Sequence, residues 1–152
     1  MKILIFGSNG LVGSSIKKVF EKDKSRFETI PATRKDANLL SLTETKNFIS
    51  KIQPNLIINS AAKVGGIHAN NTYPAEFIYN NLMIQANIIH AAFKYGTKKL
   101  LFLGSSCIYP KLSKQPIREE YLLNGKLETT NEAYAISKIA GIKICESYNR
   151  QY

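Results

Sequence analysis

The sequence is poor in cysteine and histidine and contains no long apolar run. Its two cysteines have no metal-like spacing, so we expect neither a metal site nor a disulfide framework. No apolar stretch approaches the length of a membrane-spanning helix, and no small-residue cleavage site follows the short apolar N-terminus. These absences exclude the disulfide-rich secreted class and the membrane-spanning class, and they favour the reducing cytoplasm.

Acidic residues are also scarce, since 21 Lys and Arg residues stand against 11 Asp and Glu, a net charge of +10. Such a basic balance is typical of chains that bind nucleic acids, anionic membranes or phosphate-bearing small molecules. The lysines are scattered, however, and the densest clusters, at residues 98–99 and 111–114, are short. No aromatic-interleaved basic patch accompanies the charge, so we expect solvated helix faces and no nucleic-acid or membrane partner.

Strand and helix patterns alternate along the chain. Short apolar runs predict buried strands at residues 3–6, 27–31, 56–58 and 100–103. Helical spacing of apolar residues predicts helices at residues 11–20, 42–52, 74–94 and 132–152, with Thr43 a possible N-cap of the second helix. This alternation predicts an α/β fold, a Rossmann-like parallel sheet with helices on both faces. Residues 110–130 lack periodicity and predict a functional or mobile loop, and no boundary divides residues 1–152 into separate domains.

A glycine-rich turn lies between the first predicted strand and the first predicted helix. It has the pattern Gly-x-x-Gly-x-x-Gly and reads Gly7-Ser8-Asn9-Gly10-Leu11-Val12-Gly13. Glycine permits the tight turn and the close approach of a pyrophosphate, which the N-terminus of the helix attracts. A plain glycine-rich turn leaves the third glycine unexplained, because that position lies where helix and sheet must pack closely. The pattern therefore predicts a dinucleotide site.

The segment after the second strand distinguishes NADP from NAD. An NAD site usually has a carboxylate roughly 20 residues after the glycines, where it binds the ribose hydroxyls. Here Arg34 and Lys35 precede the acidic residue, Asp36. Arg34 could form a charge-assisted hydrogen bond with a 2′-phosphate, so the sequence favours NADP.

Tyr134 and Lys138 form a Tyr-x-x-x-Lys pair on the last predicted helix. Residues four apart share a helix face, and a nearby ammonium group is expected to lower the pKa of the tyrosine. Such a tyrosine can exchange a proton with a carbonyl oxygen while hydride moves at the carbonyl carbon. Ser105 follows the fourth strand directly, at the sheet edge where ligands of open α/β sheets bind, and is the natural partner of Tyr134.

These motifs together resemble an extended short-chain dehydrogenase/reductase. Longer segments resemble the GDP-L-fucose synthase family within it, and they are AAKVGGI at 61–67, NNTYPA at 70–75, GSSCIYPK at 104–111 and NEAYAISKIAGIKICESYNRQY at 131–152. The resemblance covers essentially the whole chain. It implies NADPH-dependent conversion of GDP-4-keto-6-deoxy-D-mannose to GDP-L-fucose, by epimerisation of two carbons and reduction of the ketone.

The resemblance also assigns roles to residues. Cys107 would be the acid/base beside the ketone, Tyr134 and Lys138 the reductive pair, and Ser105 their helper. The implied cofactor-binding residues are the whole glycine turn from Gly7 to Gly13, Arg34, Asn38, Leu39, Leu103, Gly104, Ser105, Ser106 and Lys138, the last touching the nicotinamide ribose. Some relatives have a basic residue at the position of Asn9, so its absence leaves more of the 2′-phosphate binding to Arg34.

Members of that family are longer, with a substrate-binding lobe and a histidine that acts opposite the cysteine. Neither His68 nor His90 aligns with that histidine. The resemblance therefore implies a cofactor-binding half that is truncated after the Tyr-x-x-x-Lys helix, weak or inactive alone, and with an open edge at its fourth strand. It further implies a homodimer formed through residues 74–94 and 132–152.

Two alternatives stay open at this point. The first is another NAD(P)-dependent sugar-nucleotide enzyme, such as a 4-epimerase or a dehydratase, against which the cysteine in GSSCIYPK argues. The second is a non-catalytic NADP-binding module that senses the cofactor or binds a partner protein.

Overall fold

The computed structural model describes residues 1–152 and divides them into two compact units. The first unit comprises residues 1–62, 83–103 and 151–152, and the second comprises residues 63–82 and 104–150. Both units are discontinuous in sequence, because the chain leaves the first one and returns to it. Each unit is described by itself.

A four-stranded parallel sheet forms the centre of the first unit. Its strands are β1 (Lys2–Phe6), β2 (Glu28–Ala32), β3 (Leu56–Asn59) and β4 (Lys99–Phe102), in the order β2-β1-β3-β4. The predicted strands and the parallel sheet are confirmed, and β4 is an edge strand as expected. The strand order reverses between β1 and β3, and in open sheets this is the position where ligands bind beyond the carboxyl ends.

Helices cover both faces of this sheet, as predicted. Alternate residues of a strand point to opposite faces. Ile3 and Ile5 pack on one side with Ile16 and Phe20 of helix α1 (Leu11–Phe20). Residues of the opposite face pack with helix α2 (Leu42–Ile52) and with the C-terminal part of helix α4 (Pro74–Lys94), and they include Leu4, Phe6, Ile57, Ile49, Ile88 and Ala91.

The N-cap of α2 differs from the predicted one. Ser41 caps the helix, because its Oγ accepts a hydrogen bond from the backbone N–H of Glu44 at 3.2 Å. Thr43, the residue that the sequence suggested, lies inside the helix and is exposed. The apolar pattern begins one residue after Ser41, and the cap belongs immediately before that start.

The second unit is mainly helical and contains the N-terminal part of α4 and helix α5 (Glu132–Gln151). A short helix, α3 (Ile67–Thr72), was not predicted. Its sequence, IHANNT, has no apolar periodicity, and local hydrogen bonds from a side chain to the preceding backbone stabilise its first turn instead. The side chain of Asn70 donates to the carbonyl oxygens of Gly65 and Gly66 at 2.9 and 3.1 Å.

The aperiodic segment at 110–130 belongs to the second unit and consists of turns, a 3-10 helix at Glu119–Tyr121 and the start of another at Thr129–Asn131. Lys111 joins its two ends, because its backbone N–H donates to the carbonyl of Lys126 at 2.9 Å and its ammonium group pairs with Glu128 at 2.6 Å. None of the helices, including the 21-residue α4, combines the length and the apolar character that crossing a bilayer requires.

Candidate active site

The glycine turn of the first unit begins with a conformation that favours glycine. Gly7 has φ of +74°, in the left-handed region, and its carbonyl accepts a hydrogen bond from the backbone N–H of Gly10 at 3.0 Å. A Cβ at Gly7 would lie only 2.7 Å from the backbone nitrogen of Ala61. The first glycine is therefore required by the turn itself and by the close approach of the chain that follows β3.

The third glycine of the turn, Gly13, is buried in the first turn of α1. A Cβ there would collide with the carbonyl oxygen of Gly7 and lie 2.7 Å from Oγ of Ser60. Ser60 is itself fixed, because its backbone N–H and its hydroxyl both donate to the carbonyl of Phe6 at the end of β1. Helix and sheet thus approach closely at this position, as the sequence suggested.

The middle of the turn is exposed, and it leads into the N-terminus of α1. Asn9, Gly10, Leu11 and Val12 are exposed, and Gly10 precedes α1 with no side-chain cap on the helix N-terminus. The N–H groups of a first helical turn have no partner within the helix and attract anions. Ser8 differs, because its buried hydroxyl donates to the carbonyl of Ala32 at 3.1 Å, which joins the turn to the end of β2.

In the loop after β2, the carboxylate of Asp36 is engaged by hydrogen bonds within the loop itself. Asp36 accepts hydrogen bonds from the backbone N–H and the hydroxyl of Thr33, at 2.7 and 2.8 Å. These two bonds hold the pKa of Asp36 below its usual value. Arg34 lies between these two residues and is exposed. The cation predicted to select NADP is therefore exposed beside a carboxylate already engaged by Thr33.

Two further predicted cofactor residues lie later in this loop. Asn38 folds back on the main chain, with its Oδ1 accepting from the N–H of Leu40 at 3.1 Å. The carbonyl of Leu39 accepts from Nδ2 of Asn87, a buried residue of α4, at 2.8 Å. Leu103 lies elsewhere, immediately after the edge strand β4, and is half-buried.

The four predicted catalytic residues form one cluster in the second unit. Sγ of Cys107 donates to Oγ of Ser105 at 3.2 Å, and the side chain of Ser105 hydrogen-bonds that of Tyr134. The ammonium nitrogen of Lys138 lies 5.8 Å from the ring centroid of Tyr134, one helical turn further along α5. A thiol, two hydroxyls and an ammonium group therefore meet in a connected arrangement.

Burial is the largest influence on the pKa values of Tyr134 and Lys138. It raises the pKa of Tyr134, and charge on Cys107 raises it further, while the hydrogen bond with Ser105 lowers it. The predicted lowering of this pKa is wrong, because desolvation of the phenolate is the largest influence on it. Burial likewise lowers the pKa of Lys138, whose exposed fraction is 5%, and charge on Cys107 opposes that effect. Tyr134 is consequently protonated at neutral pH.

Gly104 and Ser106 flank Ser105 in sequence, and both are exposed. A Cβ at Gly104 would meet only Ile108 and Ile142, at 3.9 Å, so the fold of this unit does not itself require glycine there. Ser106 begins the 3-10 turn Ser106–Ile108, which directs the chain from Ser105 to Cys107. Nowhere in the chain do three or more His, Cys, Asp or Glu residues form a group that could hold a metal.

Sequence reasoning missed two residues that support this cluster, Phe77 and Asn81 of α4. The ring of Phe77 meets that of Tyr134 edge to face, with centroids 6.4 Å apart and planes at 81°. Asn81 accepts from the N–H of Lys63 and donates to the carbonyl of Lys63, at 2.8 and 2.9 Å. The available signal was an asparagine on the apolar side of a helix, four residues after a phenylalanine.

The chain matches one protein family and is similar to several known proteins. The model of the NAD dependent epimerase/dehydratase family matches residues 3–152. The GDP-L-fucose synthase of Escherichia coli K12 is 56% identical over 151 residues, which are 99% of this chain and 47% of that protein. A putative GDP-L-fucose synthase 2 of Arabidopsis thaliana is 53% identical over 99% of this chain and 46% of its own length.

A solved structure is also similar over nearly the whole of this chain. The GDP-mannoheptose C4 reductase of Campylobacter jejuni, solved with NADP bound, is 38% identical and has a TM-score of 0.94. The match covers 99% of this chain and 48% of that one. The chain thus spans about half the length of the curated relatives and of the solved structure that it matches.

Proposed function

The chain belongs to the NAD dependent epimerase/dehydratase family, and we propose that it binds NADP(H) and carries the proton-transfer residues for conversion of GDP-4-keto-6-deoxy-D-mannose to GDP-L-fucose. The observation that carries this proposal is the connected cluster of Ser105, Cys107, Tyr134 and Lys138. The names of the relatives support the choice of reaction.

The residues present fit a dinucleotide. Gly7 and Gly13 allow the turn to pack closely on the backbone and on Ser60, and the exposed turn leads directly into the uncapped N-terminus of α1, which attracts a pyrophosphate. Because Thr33 engages Asp36, Arg34 is the group that would pair with a 2′-phosphate. The related heptose reductase was solved with NADP bound, which supports NADP over NAD.

The reduction requires one proton and one hydride at the ketone. NADPH supplies the hydride when it is bound. Tyr134, which is protonated at neutral pH, donates its proton to the ketone oxygen, and Ser105 holds the tyrosine hydroxyl by its hydrogen bond. Positive charge on Lys138 favours the phenolate that remains after this transfer.

The epimerisations require proton exchange at the carbons beside the ketone. Protons at these positions are acidified by the carbonyl group, and a thiolate is a suitable base. Cys107 is half-buried and shares the hydroxyl of Ser105 with the reductive tyrosine. One site can therefore place the base and the proton donor on the same ketone.

A second candidate function keeps the same reaction type but has a different sugar as substrate. The relative solved with NADP is named as a reductase of a GDP-linked heptose at C4. We therefore keep another GDP-linked 4-keto sugar as the alternative substrate. A GDP-sugar is common to both candidates.

We also propose a second copy of the chain as partner, through α4 and α5. The side chains of Tyr79 on α4 and Ile136 on α5 are exposed, with fractions of 60% and 42%. Light scattering should give a dimer mass, and a monodisperse monomer would contradict this part of the proposal.

Cofactor binding tests the proposal first. Fluorescence titration should show tighter binding of NADPH than of NADH, and Arg34→Ala should weaken NADPH by roughly tenfold while leaving NADH unchanged. Lys98→Ala is the matched control, since it removes one positive charge outside the turn and the loop after β2. Equal affinity for both nucleotides in the unsubstituted chain would contradict the assignment of NADP.

Proton exchange tests the chemistry independently of rate. Prolonged incubation of GDP-4-keto-6-deoxy-D-mannose with the chain in D₂O should introduce deuterium, detected by mass spectrometry, and Cys107→Ser should abolish this. Cys145→Ser is the control. Tyr134→Phe should retain NADPH binding and deuterium exchange but lose reduction, whereas reduction by that variant would refute the role of Tyr134.

A further inference from the structure

Phe77 connects the catalytic tyrosine to a loop that the proposed reaction does not use. This residue of α4 has an exposed fraction of 1%, and its ring meets the ring of Tyr134 edge to face. Aromatic pairs in this geometry attract each other and restrict each other's orientation. Since Tyr134 lies in the first turn of α5, its ring position depends on what packs beside it as well as on its own backbone.

The loop of residues 63–66 packs against the ring of Phe77. The backbone of Gly65 lies against the ring so closely that a Cβ there would be 2.9 Å from Cζ of Phe77. The ammonium group of Lys63 lies 5.7 Å from the ring centroid while it pairs with Glu76 at 2.7 Å. The loop thus contacts the ring through both main chain and side chain.

A buried asparagine fixes this loop to the helix that carries Phe77. Asn81, with an exposed fraction of 2%, exchanges two hydrogen bonds with the backbone of Lys63 and donates to the carbonyl of Phe77 at 2.8 Å. The loop, Phe77 and Tyr134 therefore form a continuous packed series. Displacement at Gly65 is transmitted through one ring to the next, because packed interiors have little free volume.

We propose that Phe77 is a positioning residue for Tyr134, and that the 63–66 loop sets its position. The catalytic consequence rests on the proposed function, since Tyr134 is the proton donor there. The positioning itself rests only on the packing of Gly65, Phe77 and Tyr134.

Two neighbouring glycines provide a matched test. Gly65→Ala would push a methyl group against Phe77, whereas a Cβ at Gly66 meets nothing within 4 Å, so Gly66→Ala is the control. Neither glycine has the positive φ that would strain an alanine. Phe77→Leu removes the ring directly, and circular dichroism establishes which variants fold. If Phe77→Leu does not fold, Gly65→Ala decides the question.

The primary measurement is the titration of the Tyr134 hydroxyl, observed by NMR of tyrosine labelled with ¹³C at Cζ and assigned with Tyr134→Phe. The charged or titratable groups around this pair are Cys107, Lys138, Lys63 and Glu76, and none is altered in the variants. Phe77→Leu removes packing and exposes the phenolate to water, so the midpoint should fall in that variant. It should shift in Gly65→Ala, whose methyl group displaces Phe77, and stay unchanged in Gly66→Ala. Unchanged titration in both altered variants, or an equal shift in the control, would overturn the proposal.

Kinetics separate this proposal from the proposed function. In folded variants, kcat for ketone reduction should fall roughly tenfold while the KM for NADPH stays within about twofold, because misplacing a reacting group affects the transition state most. A shifted titration in a chain whose ketone reduction survives Tyr134→Phe would contradict the proposed function and leave the positioning supported. Normal titration in variants of an active chain would contradict the positioning alone.

Discussion

The two units of this molecule use different parts of the chain to build their candidate sites. In the first unit, the glycine turn is a main-chain structure in which Gly7 and Gly13 leave room for backbone and for Ser60. In the second unit, the site consists of side chains, those of Ser105, Cys107, Tyr134 and Lys138. The shape of the glycine turn depends on the absence of side chains at Gly7 and Gly13. The chemistry of the side-chain cluster depends on the burial and the hydrogen bonds of each group.

This difference determines how each site responds to substitution. The turn does not accommodate a side chain at Gly7 or Gly13, because most of the neighbouring atoms belong to backbone that cannot move independently. The cluster is sensitive to burial, since desolvation is the largest influence on the pKa values of both Tyr134 and Lys138. Substitutions that add volume to the first unit, or remove hydrogen bonds from the second, test this contrast.

The largest effect is expected for Gly13→Ala. Its methyl group would collide with the carbonyl of Gly7 and with Ser60, and such overpacking costs about 3 kcal/mol. Urea unfolding should report this loss, and NADPH binding should weaken with it. Gly10→Ala is the graded control, because its Cβ would approach the same carbonyl only to 3.3 Å. Equal stability of the two variants would contradict a backbone-limited turn.

Asn81→Leu should have the next largest effect. The substitution keeps the approximate volume but leaves the backbone N–H and carbonyl of Lys63 without their side-chain partner, which costs roughly 2 kcal/mol. The measurement is the free energy of unfolding in urea. Asn80→Leu, one residue earlier and half-buried, is the matched control and should change stability far less.

A smaller effect is expected at the N-cap of α2. Ser41→Ala removes the acceptor of the Glu44 N–H and should lower stability by about 1 kcal/mol. Thr43→Ala should have little effect, because Thr43 lies inside the helix. The thermal midpoints of the two variants distinguish the caps, and greater destabilisation by Thr43→Ala would reverse the assignment.

The smallest effect is expected for Tyr134→Phe, which should change the stability of the fold only at alkaline pH. The pKa of Tyr134 is higher in the folded chain than the unfolded value of 10.0, so the folded state holds the phenolic proton more tightly. This stability is fully present below the unfolded pKa and is lost as the pH rises through the folded pKa. Tyr134→Phe should therefore reduce the loss of stability above pH 10, measured by urea unfolding. Tyr79→Phe, at an exposed position of α4, should not.

Much of the fold could be predicted because it follows local rules. The bounds of α1, α2 and α4 agree with their apolar periodicity, and the four apolar runs became four parallel strands. The short helix α3 was not predicted, since its six residues lack apolar periodicity and its first turn is held by local hydrogen bonds from the side chain of Asn70 to the carbonyls of Gly65 and Gly66. The N-cap of α2 was missed by two residues because Ser41 and Thr43 both satisfy the residue preference.

Part of the candidate site could likewise be predicted from the sequence, and part could not. The glycine turn could be located by spacing alone, and so could Tyr134 and Lys138, because four residues on a helix fix a common face. The support of Tyr134 by Phe77 could not, since the two residues are far apart in sequence and meet only through packing.

The sequence by itself determined which residues are available for chemistry and the order of strands and helices along the chain, because propensity, periodicity and glycine spacing act locally. Only the tertiary structure decided the direction in which the pKa of Tyr134 departs from its ordinary value. Its pKa depends on how completely water is removed from the phenolate, and that is set by side chains distant in sequence. The same tyrosine and lysine on an exposed helix would keep their spacing but lose this desolvation.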